Sequence, residues 1–152
     1  MANPQWKSAD AAVHALAMFV GPNAYVTPSW YPSKKAHGKV VPTWNYLAVH
    51  ARGSIEFYDD SDRLRALVTR LTETHEAARA APWAVGDAPD DFIRGMLRAI
   101  VGFDLPIQRL EGKWKMSQNR PAEDRAGVVA GLKQEGGSAE VAALVAAAGE
   151  RR

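Results

Sequence analysis

The sequence predicts an α+β fold, in which an antiparallel sheet or small barrel is accompanied by helices. Two periodicities support this class. Apolar residues alternate at period two in "TWNYLAVHARGSIEFYDD", which is typical of a half-buried strand. By contrast, "DDSDRLRALVTRLTETHEAAR" has the spacing of an amphipathic helix. Strands and helices do not alternate regularly along the chain, so a parallel βαβ sheet is not expected.

The first half of the chain is predicted to be mainly strand. The segment "HALAMFVGPNAYVTP" suggests a hairpin of two short strands that turns at Gly21-Pro22, since proline has no ladder donor. The period-two strand follows, and its predicted buried face comprises Leu47, Val49, Ala51, Gly53, Ile55 and Phe57. Its other face carries rings and charges, including Trp44, Tyr46 and His50, which suggests that it contacts another molecule.

Helices are predicted in the second half. Asp60 or Ser61 can cap the first, and "APDDFIRGMLRAI" predicts a second that starts near Pro89 and ends at Gly102. "FDLPIQRL" alternates as a strand, with Pro106 indicating an edge or a bulge. Two final helices are expected, at about 121–133 and 138–148. The last is Ala-rich, and either a docking helix or a frayed tail fits it.

Composition limits the class of protein. With 152 residues, 47% of them hydrophobic, the chain suits one domain. A formal charge of +2 is too small for a dedicated nucleic-acid binder, although a local basic patch is compatible with it. The absence of cysteine excludes disulfides and thiolate chemistry. No apolar run approaches the roughly 20 residues of a membrane span, and no signal core is visible, so we expect a cytoplasmic protein.

Two motifs combine rings with positive charge. In "YVTPSWYPSKKAHGKVVPTWNY", Lys34 and Lys39 share a loop bracketed by proline and glycine that could direct donors at a phosphate, beside the ring of Trp30. In "EGKWKMSQNR", Lys113 and Arg120 flank a tryptophan just before a helix start, where an anion is favoured. The alternative for each motif is a solvated loop with a tryptophan pinned over the core.

Catalytic constellations are absent from the sequence. There is no GxSxG, P-loop or GxGxxG motif and no histidine pair at metal spacing. The four histidines are scattered, and His50 is the best candidate among them for chemistry. Paired acids such as Asp59-Asp60 and Asp90-Asp91 are explained by the macrodipole at helix starts. We therefore assign no catalytic residue and no metal ligand.

The motifs "SWYPSK", "GKVVPTWNY" and "EGKWKMSQNR" closely resemble those of the PaiB-like FMN-binding negative transcriptional regulators, and the resemblance extends to about Lys133. It implies an antiparallel split β-barrel with peripheral helices, similar to that of pyridoxamine-phosphate oxidase. It also implies a homodimer with FMN at the subunit interface and a role as a transcriptional repressor. The corresponding domain is residues 1–135, followed by an Ala-rich helix or tail at 136–152.

One departure from the family concerns the start of the chain. Full-length members carry an N-terminal portion that supplies the first strands and much of the FMN phosphate pocket, and it ends in a segment similar to "MANPQW". This chain is therefore expected to form a barrel that is incomplete at the N-terminus, and whether FMN still binds is left open. An open sheet edge would favour pairing with a second chain.

The resemblance and the motifs together nominate an FMN-binding set: Trp30, Ser33, Lys34, Lys39, Thr43, Asn45, Lys113, Trp114, Ser117, Gln118 and Arg120. The predicted function is a dimeric ligand-binding regulatory module. One alternative is a flavin-dependent oxidoreductase, with His50 or Tyr46 as proton donor. Another is a truncated dimeric scaffold without cofactor. No helix-turn-helix signature is visible, so direct DNA binding is not supported.

Overall fold

A computed structural model of the protein describes residues 4–8, 14–135 and 137–149. The helices are α1 (Gln5–Ser8), α2 (Ser33–His37), α3 (Ser61–Glu76), α4 (Asp90–Leu97), α5 (Ala122–Gln134) and α6 (Ala139–Ala148). The strands are β1 (Ala15–Val26), β2 (Thr43–Gly53), β3 (Glu56–Tyr58), β4 (Gly102–Asp104) and β5 (Ile107–Lys115). The mixed α+β class is therefore confirmed. No helix among the described residues is long and apolar enough to cross a membrane.

The chain divides into two compact units. Unit 1 comprises residues 1–15 and 52–108, and unit 2 comprises residues 16–51 and 109–152. The division into a domain at 1–135 and a tail at 136–152 stays a prediction.

Unit 1 is built from helices α3 and α4 and the antiparallel pair β3 and β4. Asp60 caps α3 by accepting a hydrogen bond from the Arg63 backbone N–H at 2.8 Å, as the sequence predicts. The buried residues of its core come from both helices and the turn between them: Leu64, Val85, Ile93 and Leu97. In the strand pair, Phe57 lies opposite Phe103, and their ring centroids are 6.4 Å apart.

Unit 2 packs a three-stranded sheet, in the order β1-β2-β5, with helices α5 and α6. Its buried apolar core is Ala24, Val26, Tyr31, Met116, Val128, Leu132, Val141, Ala142 and Val145. Both predicted C-terminal helices are confirmed. Val141, Ala142 and Val145 on α6 are fully buried, so the last helix is docked rather than frayed.

The predicted hairpin at Gly21-Pro22 is wrong, because β1 runs through both residues as one strand. Within the described residues β1 lies at an edge of its sheet, the position in which a strand tolerates proline. Gly21 serves packing rather than turning. A Cβ at this position would lie 3.1 Å from the Cβ of Leu47 on β2.

The long strand predicted through Phe57 is also wrong, since the chain leaves β2 after Gly53 and enters β3 of the other sheet. Gly53 permits a close approach by the carbonyl of Pro106, which a side chain would block. Pro106 in turn separates β4 from β5, so "FDLPIQRL" forms two strands. Period-two alternation persists across both breaks, and for this reason the pattern did not reveal them.

Gly102 was expected to end α4, but α4 ends at Leu97 and Gly102 begins β4. The glycine at this position has a steric role in the strand pair. Gly102 lies opposite Tyr58 in the strand pair, and the Tyr58 ring occupies the space where a Cβ would stand.

Two glycines on α5 set how closely the Trp30 segment packs. A Cβ on Gly127 would collide with the backbone carbonyl of Trp30, and a Cβ on Gly131 would collide with the Trp30 ring.

We expect Gly127→Ala to lower the free energy of unfolding by about 1–3 kcal/mol through overpacking, although alanine normally stabilises a helix. Urea denaturation would measure the change.

The matched control is Gly95→Ala on α4, where a Cβ would meet only the Arg98 side chain, at 3.9 Å. That substitution should raise the free energy of unfolding by about 0.5–1 kcal/mol. If both substitutions stabilise equally, the close packing of Trp30 on α5 is refuted.

Candidate functional site

The structure brings the two ring-and-lysine motifs together in unit 2, because β2 and β5 are neighbours in the sheet. Lys115 Nζ lies 2.6 Å from Thr43 Oγ1. Asn45 is fully buried, and its side-chain amide exchanges hydrogen bonds with Ser117 Oγ at 3.0 and 3.2 Å. Residues that are 72 positions apart in sequence are therefore direct partners.

Ser33 connects the first motif to α5 through Asp124. The Ser33 backbone N–H donates to Asp124 Oδ1 at 3.1 Å, and its hydroxyl donates to Oδ2 at 2.7 Å. Asp124 is fully buried, so both of its oxygens depend on such donors. Sequence reasoning missed this residue, because an acid in the first turn of a helix is already explained by the macrodipole.

Trp30 ends a short 3-10 turn, Pro28–Trp30, and its ring lies against Gly131 on α5. Its indole Nε1 donates to Glu135 Oε1 at 2.8 Å. Part of the ring surface is therefore covered by the protein itself. Glu135 was not among the predicted residues, and no local pattern pairs it with a tryptophan 105 positions earlier.

A tight turn holds the end of the second motif. Ser117 has a φ of 59°, a left-handed conformation that is uncommon for residues other than glycine. Gln118 braces the turn, because its side chain accepts from the Met116 N–H and donates to the Trp114 carbonyl, both at 2.7 Å. The Arg120 N–H donates to the Ser117 carbonyl at 3.0 Å. The predicted residues Ser117 and Gln118 therefore shape the loop.

Arg120 lies over Tyr31, with its guanidinium carbon 4.6 Å from the ring centroid. Tyr31 is 2% exposed, and its hydroxyl has no well-formed hydrogen bond within the described part of the chain. The guanidinium of Arg120 contacts the ring face and lies close enough to the hydroxyl to act on its charge. Burial raises the pKa of the Tyr31 phenol, and the positive charge of Arg120 opposes part of that rise.

The remaining predicted residues are accessible to a ligand. Lys34, Lys39 and Lys113 are exposed, and Lys34 Nζ contacts Ser29 Oγ at 3.2 Å. Trp114 on β5 is 39% exposed. Ammonium groups are suitable partners for a phosphate, and a partly exposed indole is suitable for a flat conjugated ring. The residues present therefore fit the two chemically distinct parts of FMN.

The described residues contain no group of three or more histidine, cysteine, aspartate or glutamate side chains that could hold a metal ion.

Comparison with known proteins identifies a family. A family model described as "Putative FMN-binding domain" matches residues 1–109, which is more than half of the 152-residue chain. The second motif, "EGKWKMSQNR", follows the matched region.

Curated relatives are similar over most of this chain. The chain is 43% identical over 137 residues to an uncharacterized protein of Aspergillus fumigatus, with 80% of this chain and 52% of that protein covered. It is 38% identical over 140 residues to one from Emericella nidulans, with 85% and 56% covered. It is 35% identical over 133 residues to the "Protease synthase and sporulation protein PAI 2" of Bacillus subtilis, with 88% and 61% covered. The chain spans about half the length of the first two relatives.

The buried phenol of Tyr31 predicts a loss of stability at alkaline pH. The pKa of this phenol is higher in the folded state than the ordinary value of 10.0, so above that pH the unfolded chain releases a proton that the folded chain retains. Stability is fully present below pH 10.0 and falls as the pH rises towards the folded-state pKa. We expect Tyr31→Phe to lose less stability over this range.

Urea unfolding from about pH 8 to about pH 11 would measure this difference. At neutral pH, Tyr31→Phe should be neutral or stabilising by up to about 1 kcal/mol, because it removes a buried hydroxyl that forms no well-formed hydrogen bond with the described residues. The exposed Tyr25, changed to Phe, controls for the loss of one phenol. The same alkaline loss in Tyr31→Phe and wild type would contradict the interpretation.

Proposed function

Because this chain belongs to the FMN-binding-domain family, as the resemblance of its motifs predicted, we propose that it is an FMN-binding regulatory module of the PaiB-like type that acts as a homodimer. The observation that carries the proposal is the pairing of the two motifs. Their hydrogen bonds across β2 and β5 make a braced unit that presents exposed lysines and an exposed indole. We further propose that the three-stranded sheet is part of a split β-barrel.

The predicted residues divide into two roles in this proposal. Direct ligand contacts are assigned to Lys34, Lys39 and Lys113 for the phosphate, and to Trp114 for the ring system. The others position these side chains through the hydrogen bonds described above: Trp30, Ser33, Thr43, Asn45, Ser117, Gln118 and Arg120. A bound flavin would supply electron-transfer chemistry, while the chain binds and orients it.

The regulatory role rests on family resemblance together with the name of the Bacillus subtilis relative, a protease synthase and sporulation protein. We propose that this chain acts as a negative regulator of transcription, in which ligand binding changes the dimer or its association with a partner. Direct reading of a DNA sequence is not part of the proposal.

The surface of β1 supports dimer formation. Met18, Phe19 and Val20 are 64%, 62% and 72% exposed, although they are consecutive and so point to alternate faces of the strand. Leu110 on β5 is exposed as well. Exposed apolar patches of this kind are typical of interaction sites, and an edge strand can pair with another chain.

The cofactor proposal predicts that lysine substitutions weaken FMN binding. Lys34→Ala and Lys113→Ala should each raise the dissociation constant at least about tenfold, since a charge-assisted hydrogen bond to phosphate is worth about 1.5–3 kcal/mol. Quenching of flavin fluorescence during titration of the purified chain would measure it. The control is Lys133→Ala, an exposed lysine on α5 outside both motifs. Absence of saturation at high micromolar FMN would reject the proposal in favour of a scaffold without cofactor.

The dimer proposal predicts that a charge on β1 separates the subunits. Met18→Lys should weaken dimerisation at least about tenfold, because burial of an unpaired ammonium is costly. Multi-angle light scattering over a dilution series would measure the mass. Leu71→Lys on α3, also at an exposed apolar residue, should leave the dimer intact. A wild-type chain that is monomeric at all concentrations would contradict the dimer proposal.

A further inference from the structure

Unit 2 contains a pocket of about 570 Å³ that none of the roles above explains. It lies where the end of β1 and the start of β2 meet the C-terminal end of α5. Three aromatic rings line it, those of Tyr25, Trp30 and Trp44, together with the carboxylate of Glu135. The volume is in the range of small-molecule sites.

The rings are held in place and open to a ligand. Tyr25 and Trp44 meet edge to face, with centroids 5.9 Å apart and planes at 70°. They are nevertheless 47% and 52% exposed, so much of their surface is not covered by the chain. Trp30 is fixed by Gly131 behind it and by its hydrogen bond to Glu135.

The electrostatics of the pocket favour a cation. Among the described lining residues, Glu135 is the one charged side chain, while Lys133 lines a different groove. Glu135 caps the C-terminal end of α5, where the helix dipole adds partial negative charge. At the neighbouring start of α6, Ser138 Oγ accepts from the Val141 N–H at 3.2 Å, so this N–H is not available to an anion.

We propose that this pocket binds an organic cation of the alkylated ammonium class. Aromatic faces attract such a cation through their quadrupoles within about 6 Å, and the carboxylate of Glu135 balances its charge. An anionic ligand would be repelled by that carboxylate. The site goes beyond the proposed function. It has Trp30 in common with the proposed FMN-binding set, but it uses none of the lysines assigned to the phosphate, Lys34, Lys39 and Lys113.

The test is a titration of the purified full chain, without flavin, with choline as the probe. Its neutral isostere 3,3-dimethylbutan-1-ol has the same shape without the charge. Isothermal titration calorimetry at constant ionic strength should show saturable binding of choline and at least about tenfold weaker binding of the isostere. Equal binding of the two, or no saturation by choline, overturns the proposal.

Variants test the assignment of residues. Glu135→Gln keeps an acceptor for the Trp30 indole but removes the charge, and it should weaken choline binding about tenfold. Trp44→Ala should have a similar effect. Trp44 is exposed and not part of the buried core, so the variant should fold, which circular dichroism checks. Glu140→Gln, an exposed acid outside the pocket lining, is the matched control and should bind as wild type. Equal effects of the two glutamine variants would refute the site.

The lysine variants separate this proposal from the cofactor proposal. Lys34→Ala and Lys113→Ala should bind choline as tightly as wild type, whatever they do to FMN. A parallel loss of choline binding in these variants would show that one site has been mistaken for two, and the cation site would be abandoned.

Discussion

The close packing of the Trp30 segment on α5 is the constraint on which unit 2 depends. Gly127 and Gly131 leave room for the backbone and ring of Trp30, and Asp124 and Glu135 hold Ser33 and the indole by hydrogen bonds. One face of a single helix therefore fixes the segment at both ends. Because α2 follows directly, its lysines are presented from a supported element rather than a free loop.

Buried polar contacts give this packing its specificity. Apolar burial alone would tolerate a shift of β2 against the turn after β5, but such a shift would separate Asn45 from Ser117 and leave their polar atoms buried without partners. The left-handed conformation of Ser117 is tolerated for the same reason, since the surrounding hydrogen bonds determine it. Side chains that look like ligand contacts in the sequence thus serve first to fix the framework.

Local patterns predicted the elements whose causes are local. Helix α3 follows from its apolar spacing and the Asp60 cap, and α6 follows from its own composition. The errors have long-range causes. A proline in β1 is acceptable because, among the described strands, β1 lies at a sheet edge, and Gly53 at the end of β2 is required by the close approach of Pro106. Neither the position of β1 in the sheet nor the approach of Pro106 can be inferred from a short stretch of sequence. The roles of Asp124 and Glu135 were hidden in the same way, because their partners lie 91 and 105 positions away.

Unit 2 thereby presents two opposite electrostatic environments. Exposed lysines on α2 and β5 suit a phosphate, whereas the pocket at the end of α5 has a carboxylate and no cationic lining residue among those described. Trp30 belongs to both proposed sites, and its position is set by Glu135. Any ligand that draws Glu135 away from the indole must change the free energy of the Trp30 segment, and with it the affinity of the other site. Such coupling is reciprocal by thermodynamic necessity, so a cation that altered FMN affinity would have its own affinity altered by the same factor.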